Sequence, residues 1–259
     1  MKTIVILFIY SIIKPVRDMG KVNPLREILK FPILFDLTSF FIQLRYIRRM
    51  SNLQKIKNSS QYINNVIDYN SSVTLKKIIT KSRRAEKYYK TLELICDDLN
   101  NKKVLIIGPR NVQELYIAWL YGFKWENIKA IDLYDTHPKI QIMNMNKMKF
   151  PKGSFDVVVM AHTLPYSENT ELTIKEVAEV LSPSGIFSFG ATYSPESKDW
   201  PGDRIEGEKI YEYLKNAGFR IFFHNPIEKI NSAGERQTLN NFGAQKIPPN
   251  NKPHDKFSL

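Results

Sequence analysis

A single cysteine, Cys96, in 259 residues leaves no partner for an internal disulfide, and no Cys or His spacing suited to a metal accompanies it. On that count the chain reads as cytoplasmic and free of metal. Its 11 glycines never form Gly-x-Gly-x-x-Gly, the pattern a nicotinamide or flavin site needs for its tight turn and pyrophosphate contact. Gly-Lys-Ser/Thr is missing too, which excludes a P-loop kinase or ATPase. No apolar run approaches the roughly 20 residues needed to span a bilayer. Residues 4–13 form the run nearest to one, broken by Ser11 and followed by Lys14-Pro15 without a small-x-small cleavage site. They are read as an appendage, with Met19 as an alternative start. Acidic residues are scarce in one place. Residues 1–90 hold 18 Lys and Arg against 5 Asp and Glu, whereas the rest holds 20 against 21, so this third carries the whole excess of a +12 chain. Such a surface suits an anionic membrane or another polyanion, or is merely solvated.

What is present is an alternation of strands and helices. Residues 102–108 form an apolar strand that stops at Gly108, and residues 112–120 a helix. Residues 128–133 form a second strand ending on Asp132. Ser154-Phe155-Asp156 leads into the apolar run 157–160. Residues 177–181 lead through Ser182-Pro183-Ser184-Gly185 into a further strand. This alternation predicts an α/β fold, Rossmann-like and doubly wound, with a mostly parallel sheet covered by helices on both faces. Ligands in such sheets bind beyond the carboxyl ends of the strands. Gly108 and Asp132 should lie there.

Residues 1–72 are expected to add a basic, mainly helical region, residues 73–228 to form the Rossmann-like domain, and residues 229–259 a loop-rich or disordered tail. Asn23-Pro24-Leu25 starts a helix that Pro32 interrupts, and residues 34–50 set apolar side chains beside Arg45, Arg48 and Arg49. Asn58-Ser59-Ser60 and Asn70-Ser71-Ser72 read as loops. Residues 75–99 read as one or two helices that bury Leu92, Leu94, Ile95 and Leu99.

These blocks resemble the class I S-adenosylmethionine-dependent methyltransferases over residues 102–223. Gly108 stands where that family's glycine-rich loop begins, and Asp132 where an acid holds the ribose hydroxyls. Asn144-Met145 through Phe150-Pro151-Lys152-Gly153-Ser154-Phe155-Asp156 is similar to its Asp-Ala, Leu-Pro-Phe and Ser-Phe-Asp segment. Glu179-Val180-Leu181-Ser182-Pro183-Ser184-Gly185 is similar to its Arg-Val-Leu-Lys-Pro-Gly-Gly turn. The chain departs from the pattern at Arg110 and Val112, where two further glycines are usual, and at Ile106, where an acid is common.

The resemblance implies S-adenosylmethionine as cofactor, held by Gly108, Pro109, Arg110, Asn111, Glu114, Asp132, Leu133, Asn144, Met145 and Leu164. Arg110 would pair with the carboxylate of its methionine end through a planar fork, and Glu114 with the ammonium. Asn144 would accept from the adenine amino group. His162 is the expected general base, with an unperturbed pKa near neutrality, and His137 and His224 rank behind it. Tyr166 and Tyr193 would wall the acceptor pocket. The acceptor is expected to be an O or N nucleophile on a small molecule, glycan or lipid-linked group. Residues 192–208 contain no recognisable substrate-binding module, and nucleic acid, which the basic N-terminal third would suit, ranks behind these. Residues 1–90 add the candidate contact with an anionic membrane or polyanion. Two other readings stand: a non-catalytic binding or scaffold protein that lost cofactor affinity with its glycines, and a nucleotide-sugar or dinucleotide enzyme on the same sheet.

Overall fold

Asn23 opens the first described helix by accepting the Leu25 amide at 3.1 Å, with Pro24 at the start of the helix where its missing N–H costs nothing. The computed structural model describes residues 23–57, 59–76, 84–196, 204–231 and 234–248. In chain order come α1 (Pro24–Lys30), α2 (Pro32–Arg45), α3 (Ile47–Ser51), β1 (Gln54–Lys55), α4 (Gln61–Lys76) and α5 (Glu86–Ile95). The alternating part follows: β2 (Val104–Ile107), α6 (Val112–Leu120), β3 (Ile128–Asp132), β4 (Tyr134–Asp135), β5 (Ile140–Ile142) and β6 (Phe155–Ala161). It continues with α7 (Thr170–Val180), β7 (Leu181–Tyr193), α8 (Gly207–Asn216), β8 (Phe219–Ile230) and β9 (Arg236–Lys246).

Seven strands form one sheet in the order β5-β3-β2-β6-β7-β9-β8. The first five run parallel, while β9 is antiparallel to both β7 and β8. Every residue of β2 is buried, as a central strand covered on both faces requires. Period two divides its side chains. Val104 and Ile106 join Tyr89, Leu92, Leu115 and Ile117 on one face, and Leu105 and Ile107 join Ile174, Val177 and Leu214 on the other. The sheet is therefore doubly wound, as expected. Leu92 and Leu99 are buried, but Leu94 is 88% exposed and Ile95 44%, because α5 turns only one stripe toward the core.

Two expected boundaries do not hold. The supposed loop Asn70-Ser71-Ser72 lies inside α4, so residue 72 divides a helix rather than two domains. The Asn70 amide and the Ser72 hydroxyl bond back to the carbonyls of Val66 and Tyr69, a local alternative that helices tolerate. At the other end, the expected tail supplies β9, which lies between β7 and β8. Its Asn240 and Asn241 look unlike strand residues, yet both are buried and hydrogen-bonded, to His224 and to Tyr88, Asn225 and Leu239. Partnered amides do not break a ladder. Asn58, residues 1–22 with the apolar run 4–13, and residues 249–259 lie outside the described residues.

Candidate active site

The strand order reverses at β2 and β6, with β3 and β5 on one side and β7 on the other. At such a switch point the loops separate and leave a crevice. A cavity of about 650 Å³, its mouth included, opens there. Its floor comes from Ile107 and Gly108 after β2, Asp132 and Leu133 at the end of β3, Met143 to Met145 after β5, and His162 and Thr163 after β6. Arg110 and Tyr166 line its walls. Ile63, Val66, Ile67 and Asn70 of α4 close it from above, joined by Arg84. Ile63, Val66 and Ile67 pack on Leu133 and Tyr134, so the basic N-terminal region supplies the roof of the site.

Gly108 is required twice over. Its φ of +69° is one that L side chains rarely adopt, and a Cβ there would stand 2.2 Å from Thr163 Cγ2. Its amide donates to the Ile131 carbonyl at 2.8 Å, which ties the loop to β3. Asp132 accepts the Leu133 amide on Oδ1 at 2.7 Å. Burial pushes its carboxyl up to about 7, against the Leu133 hydrogen bond; the Glu114 charge adds to the rise and Arg110 opposes it. Glu114, in the first turn of α6, is 2% exposed, and its Oε2 has no hydrogen-bond partner among the described residues. Burial raises its pKa, opposed by Arg84 and Arg110. A buried acceptor without a donor calls for an explanation, and a ligand donor is one.

Other expected contacts are reassigned. Asn111 caps α6 by accepting the Gln113 amide at 2.9 Å and donates to Gln43, so its side chain belongs to the scaffold. Pro109 is buried outside the cavity lining, and Leu164 packs in the apolar core under α7. Tyr193 is not at the cavity; its hydroxyl donates to Glu206 at 3.1 Å. Asn144 does line the cavity, but its Oδ1 already accepts the Asn146 amide at 2.8 Å while its Nδ2 donates to Glu168. One lone pair remains for a ligand.

His162 lines the cavity but does not fit the role of general base. The Asn241 Nδ2 donates to the carbonyls of Asn225 and Leu239, so its Oδ1 is free to accept from Tyr88 at 3.0 Å. Tyr88, its own proton given to Asn241, meets His162 Nε2 at 2.9 Å, Lys87 Nζ stands 3.3 Å from the same nitrogen, and Thr192 meets Nδ1 at 3.0 Å. Both ring nitrogens are engaged, and burial with the charges of Lys87, Arg84 and Lys229 holds the imidazole neutral far below its usual pKa. The residue also has φ +64°, an uncommon conformation that shapes the turn after β6. His137 is buried, its Nδ1 accepting the Lys139 amide, and His224 stacks on Phe242 at 4.2 Å. Neither lines the cavity.

Sequence reasoning missed the α4 roof, because Asn70-Ser71-Ser72 masks a helical spacing of Ile63, Val66 and Ile67. It also missed Arg84, and Asn146, whose amide donates to Ser167, Thr173 and the Asn169 carbonyl and so secures the loop after β5. No local signal marks Asn146, since its partners come from another part of the chain.

A family profile described as a methyltransferase domain matches residues 124–189, the stretch from before β3 into β7. Over these residues the chain is similar to a methyltransferase domain. Among solved structures, a 1,6-didemethyltoxoflavin-N1-methyltransferase of Burkholderia thailandensis, bound to 1,6-didemethyltoxoflavin and S-adenosylhomocysteine, is similar at 12% identity. It covers 75% of this chain and 95% of its own, with a TM-score of 0.54. A putative sarcosine dimethylglycine methyltransferase from Galdieria sulphuraria aligns at 11% identity over 63% of this chain and 86% of its own, with a TM-score of 0.50. The [4+2]-cyclase SpnF aligns at 15% identity over 63% and 81%, also with a TM-score of 0.50. At these identities the likeness is one of fold. No curated protein matches the sequence. S-adenosylmethionine is the cofactor of such methyltransferases, and the cavity offers groups that fit it, Gly108 without a Cβ and the Asp132 carboxyl, while Glu114 lies outside the lining. Among the described residues no helix is long and apolar enough to cross a membrane.

Proposed function

We propose that this methyltransferase binds S-adenosylmethionine in the switch-point cavity and methylates an O or N nucleophile of a small molecule. The observation that carries this is Asp132, a half-buried carboxyl at the end of β3 facing a cavity that Gly108 keeps open. A ribose would donate both hydroxyls to it. Leu133 and Met145 would flank the adenine, and Arg110 would take the carboxylate of the amino-acid end. Glu114 would meet its ammonium after a small side-chain movement. When bound, the cofactor supplies an electrophilic methyl group. The protein's part is alignment and exclusion of water, with Tyr166 and the α4 roof closing over the reacting atoms. His162 acts as a rigid wall rather than as a base. Calorimetry with S-adenosylhomocysteine tests the reading. Micromolar affinity, about −8 kcal/mol, is expected, and no heat at concentrations near a millimolar would end it.

A second reading rests on one observation. Arg110 and Val112 replace the usual glycines, and Val112 is buried, so the loop is bulkier than a typical cofactor loop. A scaffold that recognises a ligand without transfer would keep the cavity and lack turnover. Fold alone does not separate the two, as the cyclase of the same fold illustrates. Sugar and lipid-linked acceptors stay within the proposal. A lipid-linked one would suit a cytoplasmic protein that touches a membrane through α2. That helix exposes Ile33, Leu37, Phe41 and Leu44 beside Arg45 and Arg48. Sedimentation with anionic vesicles at low salt tests the contact, and a Phe41→Ser variant should weaken it.

A further inference from the structure

The cavity wall at His162 carries more positive charge than the cofactor needs. Arg84 lines the cavity just ahead of α5, and Lys87 follows three residues later, its Nζ 3.3 Å from His162 Nε2. Lys229, an exposed residue of β8, adds to the positive field that lowers the pKa of both Lys87 and His162. Among the described residues no carboxylate lies within ion-pair distance of these three cations. His162 brings no compensating charge, since it is neutral. Lys87 is also half-buried, and burial together with Arg84 and Lys229 pushes its ammonium down to about 8. Like charges held together without an acid are unfavourable, and an anion relieves them. A nucleic acid backbone would require an open groove. Here Arg84 lines the cavity roofed by α4 and Lys87 reaches its wall at His162, which suits one compact anionic group.

We infer that the methyl acceptor carries an anionic group, a carboxylate or a phosphate, held by Lys87 and Lys229 beside Arg84 at the His162 wall. The inference rests on the methyltransferase reading for its acceptor, but the anion site has its own chemistry and its own readout. Arg84 is shared ground, because its field also reaches Glu114 near the amino-acid end of the proposed cofactor site. Lys87 and Lys229 therefore carry the test.

Protein saturated with S-adenosylhomocysteine would be titrated at low ionic strength with inorganic phosphate and, separately, with acetate. Lys87→Gln, Lys229→Gln, the double variant and Lys87→Arg would be compared with wild type. Wild type should bind one of the anions, phosphate if the acceptor is phosphorylated and acetate if it is a carboxylic acid. Each glutamine should weaken that binding about fivefold, as for one partly exposed ion pair, while Lys87→Arg keeps it. Affinity for S-adenosylhomocysteine should stay within about twofold in all variants, because neither lysine lies at its proposed contacts. Equal anion binding by wild type and the double variant would overturn the inference, as would no anion binding by wild type. Parallel loss of anion and S-adenosylhomocysteine would assign the cluster to the cofactor's own carboxylate, and also overturn it. If S-adenosylhomocysteine does not bind at all, the cofactor reading fails by itself. The same titrations on the unloaded protein then still decide whether Lys87 and Lys229 form an anion site.

Discussion

Thr163 occupies the space that a side chain at Gly108 would need, its Cγ2 2.2 Å from the position of the missing Cβ. The Thr163 hydroxyl donates to the Gly108 carbonyl at 3.2 Å. The loops after β2 and β6 are thus locked together at the switch point. Gly108→Ala should cost at least about 2 kcal/mol, combining left-handed backbone strain with overpacking. Thr163→Ala in that background should restore part of the loss, since the two sites share one space. Urea unfolding of the four proteins measures this, and strictly additive effects would refute the lock.

Asp132 should make cofactor binding depend on pH. Its carboxyl, raised to about 7 by burial, accepts two ribose hydroxyls best when ionised. Affinity for S-adenosylhomocysteine should therefore rise about tenfold from pH 6 to pH 8, as ionisation goes from a minor to a major fraction. Asp132→Asn should flatten the curve and bind more weakly at pH 8. Without ligand the linkage has the opposite sense. Between 3.8 and about 7 the folded protein holds the extra proton, so this residue's contribution to stability falls as pH rises through that window.

Arg110 is expected to read the amino-acid end of the cofactor. Arg110→Ala should weaken S-adenosylhomocysteine about fivefold or more, and leave methylthioadenosine, which lacks that end, unchanged. Equal losses for both ligands in calorimetry would mean that Arg110 acts on loop shape instead.

The buried histidines set an acid limit. Burial holds the His137 ring down at about 4 from an ordinary 6.5, with Arg49 and Lys139 adding to the effect, and burial likewise holds His162 well below its usual value. Between 6.5 and about 4 the unfolded chain binds the extra proton, so stability falls as pH falls through that window. His137→Asn should reduce the slope by about 1 kcal/mol per pH unit within it, read from denaturation midpoints at several pH values. In a methylation assay no step near 6.5 should come from His162, whose nitrogens are engaged by Tyr88 and Thr192.

Removing residues 1–72 should abolish cofactor binding as well as any membrane contact, because it deletes Ile63, Val66 and Ile67 from the roof and exposes Leu133 and Tyr134. Differential scanning fluorimetry with and without S-adenosylhomocysteine checks this. A ligand-induced shift that survives the deletion would show that the floor suffices.

The sequence alone determined the central sheet. Apolar runs ending at Gly108 and Asp132, with helical spacing between them, admit few arrangements other than a parallel sheet with its site at the strand ends. Those signals are local, set by periodicity and turn chemistry. What only the tertiary structure decided are the features built from residues far apart in the chain. β9 became a strand because Tyr88, Asn225 and Leu239 partner Asn241. His162 lost the part of a base because Tyr88 and Thr192 take its two nitrogens. The basic N-terminal third became a roof because α4 turns Ile63, Val66 and Ile67 onto Leu133 and Tyr134. Hydrogen-bond satisfaction and apolar burial act through space. A polar stretch therefore reads as a loop until the partners that bury it are known.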